Sequence, residues 1–224
     1  MARVPPAALP ALREVQAVLL DMDGTLVDSD AVVERAWRSW AAEHGVQAAS
    51  VLAVAHGRPS AATVRQVAPW LSPAQARRAT ARLDQLEAGD GADTPALPGA
   101  HRLLEELRRL GLPWAVVTGA GSRLARARLR AAGIDPPLLV TLDDVRAGKP
   151  APDGFLLGAA RLGVEPRHCL VVEDSAPGIE AGHRAGALVA ALRGLPADLA
   201  IADLSELAEL LRLARSGQGA GTAR

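Results

Sequence analysis

Val15-Gln-Ala-Val-Leu-Leu20 runs directly into Asp21-Met-Asp-Gly-Thr-Leu-Val-Asp28. A short apolar run that ends abruptly in acids and a glycine has the pattern of a strand buried on both faces, followed by a turn. Similar runs recur at residues 113–118, 138–141, 169–173 and 187–192, with a weaker one at 199–201. Between them, apolar residues fall at helical spacing. Leu103, Leu104, Leu107 and Leu110 form one stripe stopped by Gly111, and Phe155, Leu156, Ala159 and Leu162 form another stopped by Gly163. This alternation predicts an α/β fold: a Rossmann-like, doubly wound parallel sheet with helices on both faces.

The alternation is interrupted once. Between residues 33 and 93 no strand pattern occurs, and the spacing predicts helices over 33–43, 61–68 and 73–88. Residues 89–99, rich in Gly and Pro, read as a linker back to the sheet. The expected organisation is a core of residues 1–32 and 94–215, an inserted α-helical cap domain over 33–93, and a disordered tail over 216–224.

Composition narrows the function. The 224 residues are 49% hydrophobic and 22% charged, which excludes disordered and fibrous classes. Twenty-five basic residues balance 25 acidic ones, so broad electrostatic binding to nucleic acid or an anionic membrane is not the expected role. Cys169 is the one cysteine and lies in an apolar run, which predicts packing and no internal disulfide. No apolar run reaches about 18 residues, and the proline-rich first ten residues lack a signal-peptide core. The expectation is a cytoplasmic monomer acting on a small molecule.

Four motifs sit where strands are predicted to end, which is where ligand chemistry collects in open α/β sheets. Asp21 and Asp23, two residues apart, can face one pocket. Two carboxylates about 4 Å apart repel by about 4 kcal/mol at an effective dielectric near 20, so the pair implies a cation, with Mg²⁺ suited to an all-oxygen site. The same acids, with Asp28, Ser29 and Asp30, would also serve as a helix-capping turn. Val116-Val-Thr-Gly-Ala-Gly-Ser122 places a hydroxyl and exposed backbone N–H groups at a helix start, a natural anion site. Lys149, in Gly148-Lys-Pro-Ala-Pro-Asp153, is the single lysine among 24 arginines. Its retention points to a position that needs a compact ammonium and not a planar guanidinium. Val171-Val-Glu-Asp-Ser-Ala-Pro-Gly-Ile-Glu-Ala-Gly182 sets Glu173 and Asp174 at another strand end. They could complete a metal site with Asp21, or stabilise a helix N-terminus.

With these motifs in order, the chain resembles the haloacid dehalogenase-like hydrolase superfamily over about residues 15–210, helical cap included. The resemblance implies a phosphoryl-transfer enzyme. Asp21 would be the nucleophile, and Asp23 would protonate the leaving oxygen and then activate water. Thr118, Gly119 and Lys149 would hold the phosphoryl oxygens. Asp21, the backbone carbonyl of Asp23, and Asp174 would bind Mg²⁺, with Glu173 in or beside that shell. Asp23 sets the chain apart from the dehalogenases of the superfamily, which lack this second acid. The absence of lysine from residues 33–93 sets it apart from phosphonoacetaldehyde hydrolases.

Within the superfamily, His56-Gly-Arg-Pro-Ser60, Thr63-Val-Arg-Gln-Val-Ala-Pro69, Ala96-Leu-Pro-Gly-Ala100 and Pro113-Trp-Ala-Val-Val-Thr118 are similar to sugar and sugar-alcohol phosphatases. That likeness implies Arg58, with His56 and Gly57, as substrate contacts; a helix-capping turn is the alternative. Gly119 stands where relatives commonly carry serine. A phosphosugar mutase of the β-phosphoglucomutase type and a non-catalytic phosphometabolite-binding regulator are the competing functions. Trp37 and Trp40 are expected to pack the cap, and Trp70 and Trp114 to be structural. His44, His101, His168 and His183 lack metal-ligand spacing, and Arg123, Arg126, Arg128 and Arg130 read as a solvated helix face.

Overall fold

The computed structural model describes residues 8–55, 59–89 and 94–216. Among these, six strands form one parallel sheet: β1 (Ala17–Leu20), β2 (Trp114–Val117), β3 (Leu139–Val140), β4 (Cys169–Glu173), β5 (Leu188–Ala191) and β6 (Leu199–Ala200). Their order is β3-β2-β1-β4-β5-β6. Each strand lies inside an apolar run of the sequence. The chain winds outward in both directions from β1, so the crevice beside β1 and β4 is the topological switch point at which open α/β sheets bind ligands.

Both faces of the sheet are covered. Alternation sends Val18, Leu20, Val116, Leu170 and Val172 to one face. There they meet α1 (Ala8–Arg13), α6 (Ala100–Arg109), α7 (Ser122–Ala131) and α10 (Leu204–Ser216). Ala17, Leu19, Ala115, Val117 and Val171 point the other way, against α8 (Asp153–Leu162) and α9 (Ala176–Ala185). Burying one such large aliphatic side chain stabilises by roughly 1.5–3 kcal/mol, which is why the strands carry apolar residues at successive positions. Cys169 is buried at the start of β4; burial pushes its thiol up to about 11, consistent with packing.

The helical segment forms α2 (Asp30–His44), α3 (Ala48–Ala55), α4 (Ser60–Val67) and α5 (Pro73–Gly89) around a separate cluster of their own residues. Trp40 is its centre. It meets Trp37 edge-on at 5.4 Å, stacks on His44, and donates its Nε1 hydrogen to the Ala79 carbonyl at 2.9 Å.

Four features differ from expectation. Helix α3 was unforeseen, because Ala-Ala-Ser-Val-Leu-Ala-Val-Ala is too short and too uniformly apolar to show a period; α1 was hidden in the proline-rich start. Trp70, expected to be structural, is 63% exposed in the turn between α4 and α5, whereas Trp114 packs partly buried on the sheet. Ser29 precedes α2 but its side chain makes no capping hydrogen bond. Ser216 closes α10, and the remainder of the expected tail lies outside the described residues. No helix among the described residues is long and apolar enough to cross a membrane.

Candidate active site

Adjacent parallel strands deliver the acids. Register pairs Leu20 with Val172, so Asp21, the next residue, emerges beside Glu173 and Asp174. The Asp21 N–H donates to the Val172 carbonyl at 3.0 Å, which seats it at the strand end. Carboxylate oxygens of Asp21, Glu173 and Asp174 lie within 4.8 Å of one another, and the cluster could hold a metal ion. Burial pushes the Asp21 carboxyl well above its ordinary range; the nearby Lys149 charge opposes the rise, and Glu173 and Asp174 add to it. Burial and then Glu173 push Asp174 up to about 6, against the pull of Arg193. A bound cation would offset this repulsion, and three carboxylates are the donor chemistry a hard divalent ion accepts. Gly24, at φ 78°, lets the loop close over the cluster: a Cβ there would lie 2.1 Å from the Asp174 carboxylate.

Lys149 brings positive charge to the cluster. Its ammonium donates to the Asp21 carboxylate and to the Val117 carbonyl at 3.1 Å, and lies 2.6 Å from Glu173. Three converging acceptors match the three donors of an ammonium. Burial works against the charge, but Asp21 and Glu173 outweigh it and hold the lysine above its ordinary value. The other Glu173 oxygen accepts from the backbone N–H groups of Asp174 and Ser175 and from the Ser175 hydroxyl. Ser175 in turn caps α9 by accepting from the Gly178 N–H at 3.2 Å. Gly178 is required by proximity, since a Cβ there would lie 1.9 Å from the Glu173 carboxylate.

Thr118 follows Val117 at the end of β2 and is buried; its hydroxyl accepts from the Ala120 N–H at 3.1 Å. The loop then enters α7 through Gly121 in an extended conformation. Gly119 is not imposed by crowding, because a Cβ there meets nothing within 4 Å. The structure therefore brings Asp21, Lys149, Glu173 and Asp174 together, with Thr118 and Gly119 on the adjoining strand end. His56, Gly57 and Arg58 lie outside the described residues.

Asp23 does not join the cluster. Its carboxylate, 28% exposed, accepts from Arg128 Nη1 at 2.8 Å, and Arg128 Nη2 donates to Glu87 at 2.8 Å. This corrects the reading of Arg128 as part of a solvated face. Arg123, Arg126 and Arg130 are exposed, but Arg128 is 2% exposed. The signal was available: Arg128 lies four residues after Leu124 and adjoins Leu129, on the buried stripe of α7. Burial pushes the Glu87 carboxyl up to about 7, with the Arg128 charge pulling the other way. Arg193 was also missed. It adopts a left-handed φ of 55°, places Nε 2.9 Å from Asp174, and binds Asp30 at the start of α2. No sequence period announces such a residue.

A family model for haloacid dehalogenase-like hydrolases matches residues 15–186. Hexitol phosphatase A of Escherichia coli (strain K12) is 44% identical over 181 residues, covering 80% of this chain and 83% of that protein. Fructose-1-phosphate phosphatase of the same organism is 32% identical, covering 75% of this chain and 92% of its own length. Among solved structures, β-phosphoglucomutase from Clostridium difficile superposes with a TM-score of 0.78 over 89% of this chain and 98% of that one; at 19% identity the likeness is one of fold.

Proposed function

Because the chain belongs to the haloacid dehalogenase-like hydrolase family, we propose that it is a Mg²⁺-dependent phosphatase. Its substrates are phosphate monoesters of small sugars or polyols, and it acts through an aspartyl-phosphate on Asp21. One observation carries this reading: two acids two residues apart have separate surroundings. Asp21 faces Lys149 and the acidic cluster, whereas Asp23 faces Arg128 outside it. Separate surroundings suit separate roles. The substrate class is supported by the likeness to hexitol phosphatase A and fructose-1-phosphate phosphatase.

In the first step an Asp21 carboxylate oxygen attacks phosphorus. The bond from phosphorus to the sugar oxygen breaks, and Asp23 gives that oxygen its proton. In the second, Asp23 takes a proton from water as the water oxygen attacks phosphorus. The bond from phosphorus to Asp21 then breaks, which releases phosphate and restores the carboxylate. Lys149 neutralises phosphoryl oxygens, and the Thr118 hydroxyl and the Gly119 backbone N–H donate to them. Asp21, the Asp23 carbonyl and Asp174, with Glu173 alongside, would hold Mg²⁺, which would supply Lewis-acid stabilisation of the phosphoryl charge.

Residues 33–93 act as a cap on the core of residues 1–32 and 94–215, a division supported by the self-contained cluster of α2–α5. Arg58, with His56 and Gly57, meets the substrate. The enzyme works as a cytoplasmic monomer. The test is phosphate release from a panel of hexitol, hexose and glycerol phosphates. Release should stop with EDTA, return with Mg²⁺, and be lost in Asp21→Asn, whose amide cannot accept the phosphoryl group. Normal turnover by that variant would overturn the mechanism. An isomerised sugar phosphate without free phosphate, seen by NMR, would replace hydrolysis with a mutase reaction.

A further inference from the structure

Three parts of the fold meet at one guanidinium. Asp23 comes from the loop after β1, Glu87 from the last turn of α5, and Arg128 from the buried stripe of α7. Each carboxylate takes a different arm of the fork, both at 2.8 Å. Arg128 is 2% exposed, so few of its rotamers remain open.

We propose that Arg128 is a positioning residue for Asp23, with Glu87 as its second anchor. The proposal rests on the reading of Asp23 as the proton donor to the leaving group. Nη1 bonds only Oδ1 of Asp23. That fixes the plane of the carboxyl group and leaves Oδ2, on the partly exposed side chain, to carry the transferred proton. A bidentate grip would occupy both oxygens. Here the second arm is taken by Glu87, which pins the arginine without consuming Oδ2. Because Glu87 closes the helical segment formed by α2–α5, the same contact ties the position of that segment to the aim of Asp23. The alternative is that the pair merely glues α5 to α7, and a glue has no preference for the leaving group.

That difference is measurable. The readout is kcat/KM, which reports the steps through leaving-group departure, for a hexitol phosphate and for p-nitrophenyl phosphate. The alkoxide needs a proton to leave; the nitrophenolate does not. Arg128→Gln should lower kcat/KM about 100-fold for the hexitol phosphate and less than about fivefold for the aryl ester. Arg128→Lys keeps the charge but cannot span both carboxylates, so it should show the same split. Glu87→Gln should show a smaller split of the same sign. Added to Asp23→Asn, Arg128→Gln should cost nothing further on the hexitol ester. The double variant Arg128→Gln/Glu87→Gln retains amide hydrogen bonding without a buried lone charge, and carries the comparison if the single variant does not fold.

Equal losses on the two substrates, or full activity in Arg128→Lys, would overturn the proposal while leaving the phosphatase reading intact. A wild-type protein that releases phosphate from neither ester would overturn the phosphatase reading itself, and the proposal with it.

Discussion

The Lys149 ammonium lies 2.6 Å from Glu173, a residue with no exposed surface, and the same nitrogen donates to Asp21 from another strand end. One compact cation thus holds two buried carboxylates and the Val117 carbonyl. A guanidinium is planar and wider, and its donors diverge where these acceptors converge. Lys149→Arg should therefore lose nearly as much turnover as Lys149→Ala, both on the order of 100-fold or more. Phosphate release measures it, and wild-type-like activity of the arginine variant would refute the geometric argument.

Gly178 and Gly119 should respond oppositely to a side chain. A Cβ at Gly178 would lie 1.9 Å from the Glu173 carboxylate, so Gly178→Ala must displace either α9 or Glu173. The expected cost is about 1–3 kcal/mol in urea unfolding, with turnover reduced as Lys149 loses its partner. At Gly119 a Cβ meets nothing within 4 Å, so Gly119→Ser should leave the urea midpoint unchanged.

The acidic cluster makes a prediction about metal. Removing one charged oxygen ligand weakens a Mg²⁺ site far more than it weakens the fold. Asp174→Asn should raise the Mg²⁺ concentration needed for half-maximal activity by about tenfold or more. Because the neutral amide also relieves repulsion with Asp21 and Glu173, the metal-free variant should melt no lower than the metal-free wild type. Titration with Mg²⁺ and a thermal melt in EDTA check the two halves.

Glu87 predicts a pH dependence of stability. Its carboxyl is raised from 4.5 to about 7 by burial. Between those values the folded chain keeps a proton that the unfolded chain has lost, so raising the pH favours unfolding. The stabilising share is complete below 4.5 and is lost as the pH rises through about 7. Glu87→Gln cannot lose that proton. Relative to it, the wild type should weaken with rising pH across this window by on the order of 3 kcal/mol. Urea unfolding of both proteins at about pH 5 and about pH 8 tests the sign. A difference that does not change with pH would reject it.

Much of the site could be read along the chain because a parallel sheet converts a local pattern into a location. Apolar runs mark strands, strand ends mark where the acids emerge, and Asp21, Thr118, Glu173 and Asp174 each close or directly follow such a run, whereas Lys149 comes from the loop between β3 and α8. Lys149 and Asp21 stand 128 positions apart yet share a hydrogen bond, a proximity that follows from the fold class. Lys149 also stood out by composition, as one lysine against 24 arginines.

Other features were settled only by packing. Arg128 sits among four arginines of one helix, and its burial depends on which side of α7 meets α5. Arg193 reaches Asp174 and Asp30 through a left-handed backbone that propensity disfavours. Trp40 lies at the centre of its cluster while Trp70 is exposed, although both are tryptophans of the helical segment.

The sequence alone therefore determined the doubly wound α/β class and the strand ends, and offered Asp21, Glu173 and Asp174 among its candidate acids, because hydrophobic periodicity and turn chemistry act between near neighbours. The tertiary structure decided which arginines serve the site, and that Asp23 and Asp21 face different partners. Those outcomes depend on contacts between α5, α7 and the loops after β1 and β5, whose free energies no local pattern encodes.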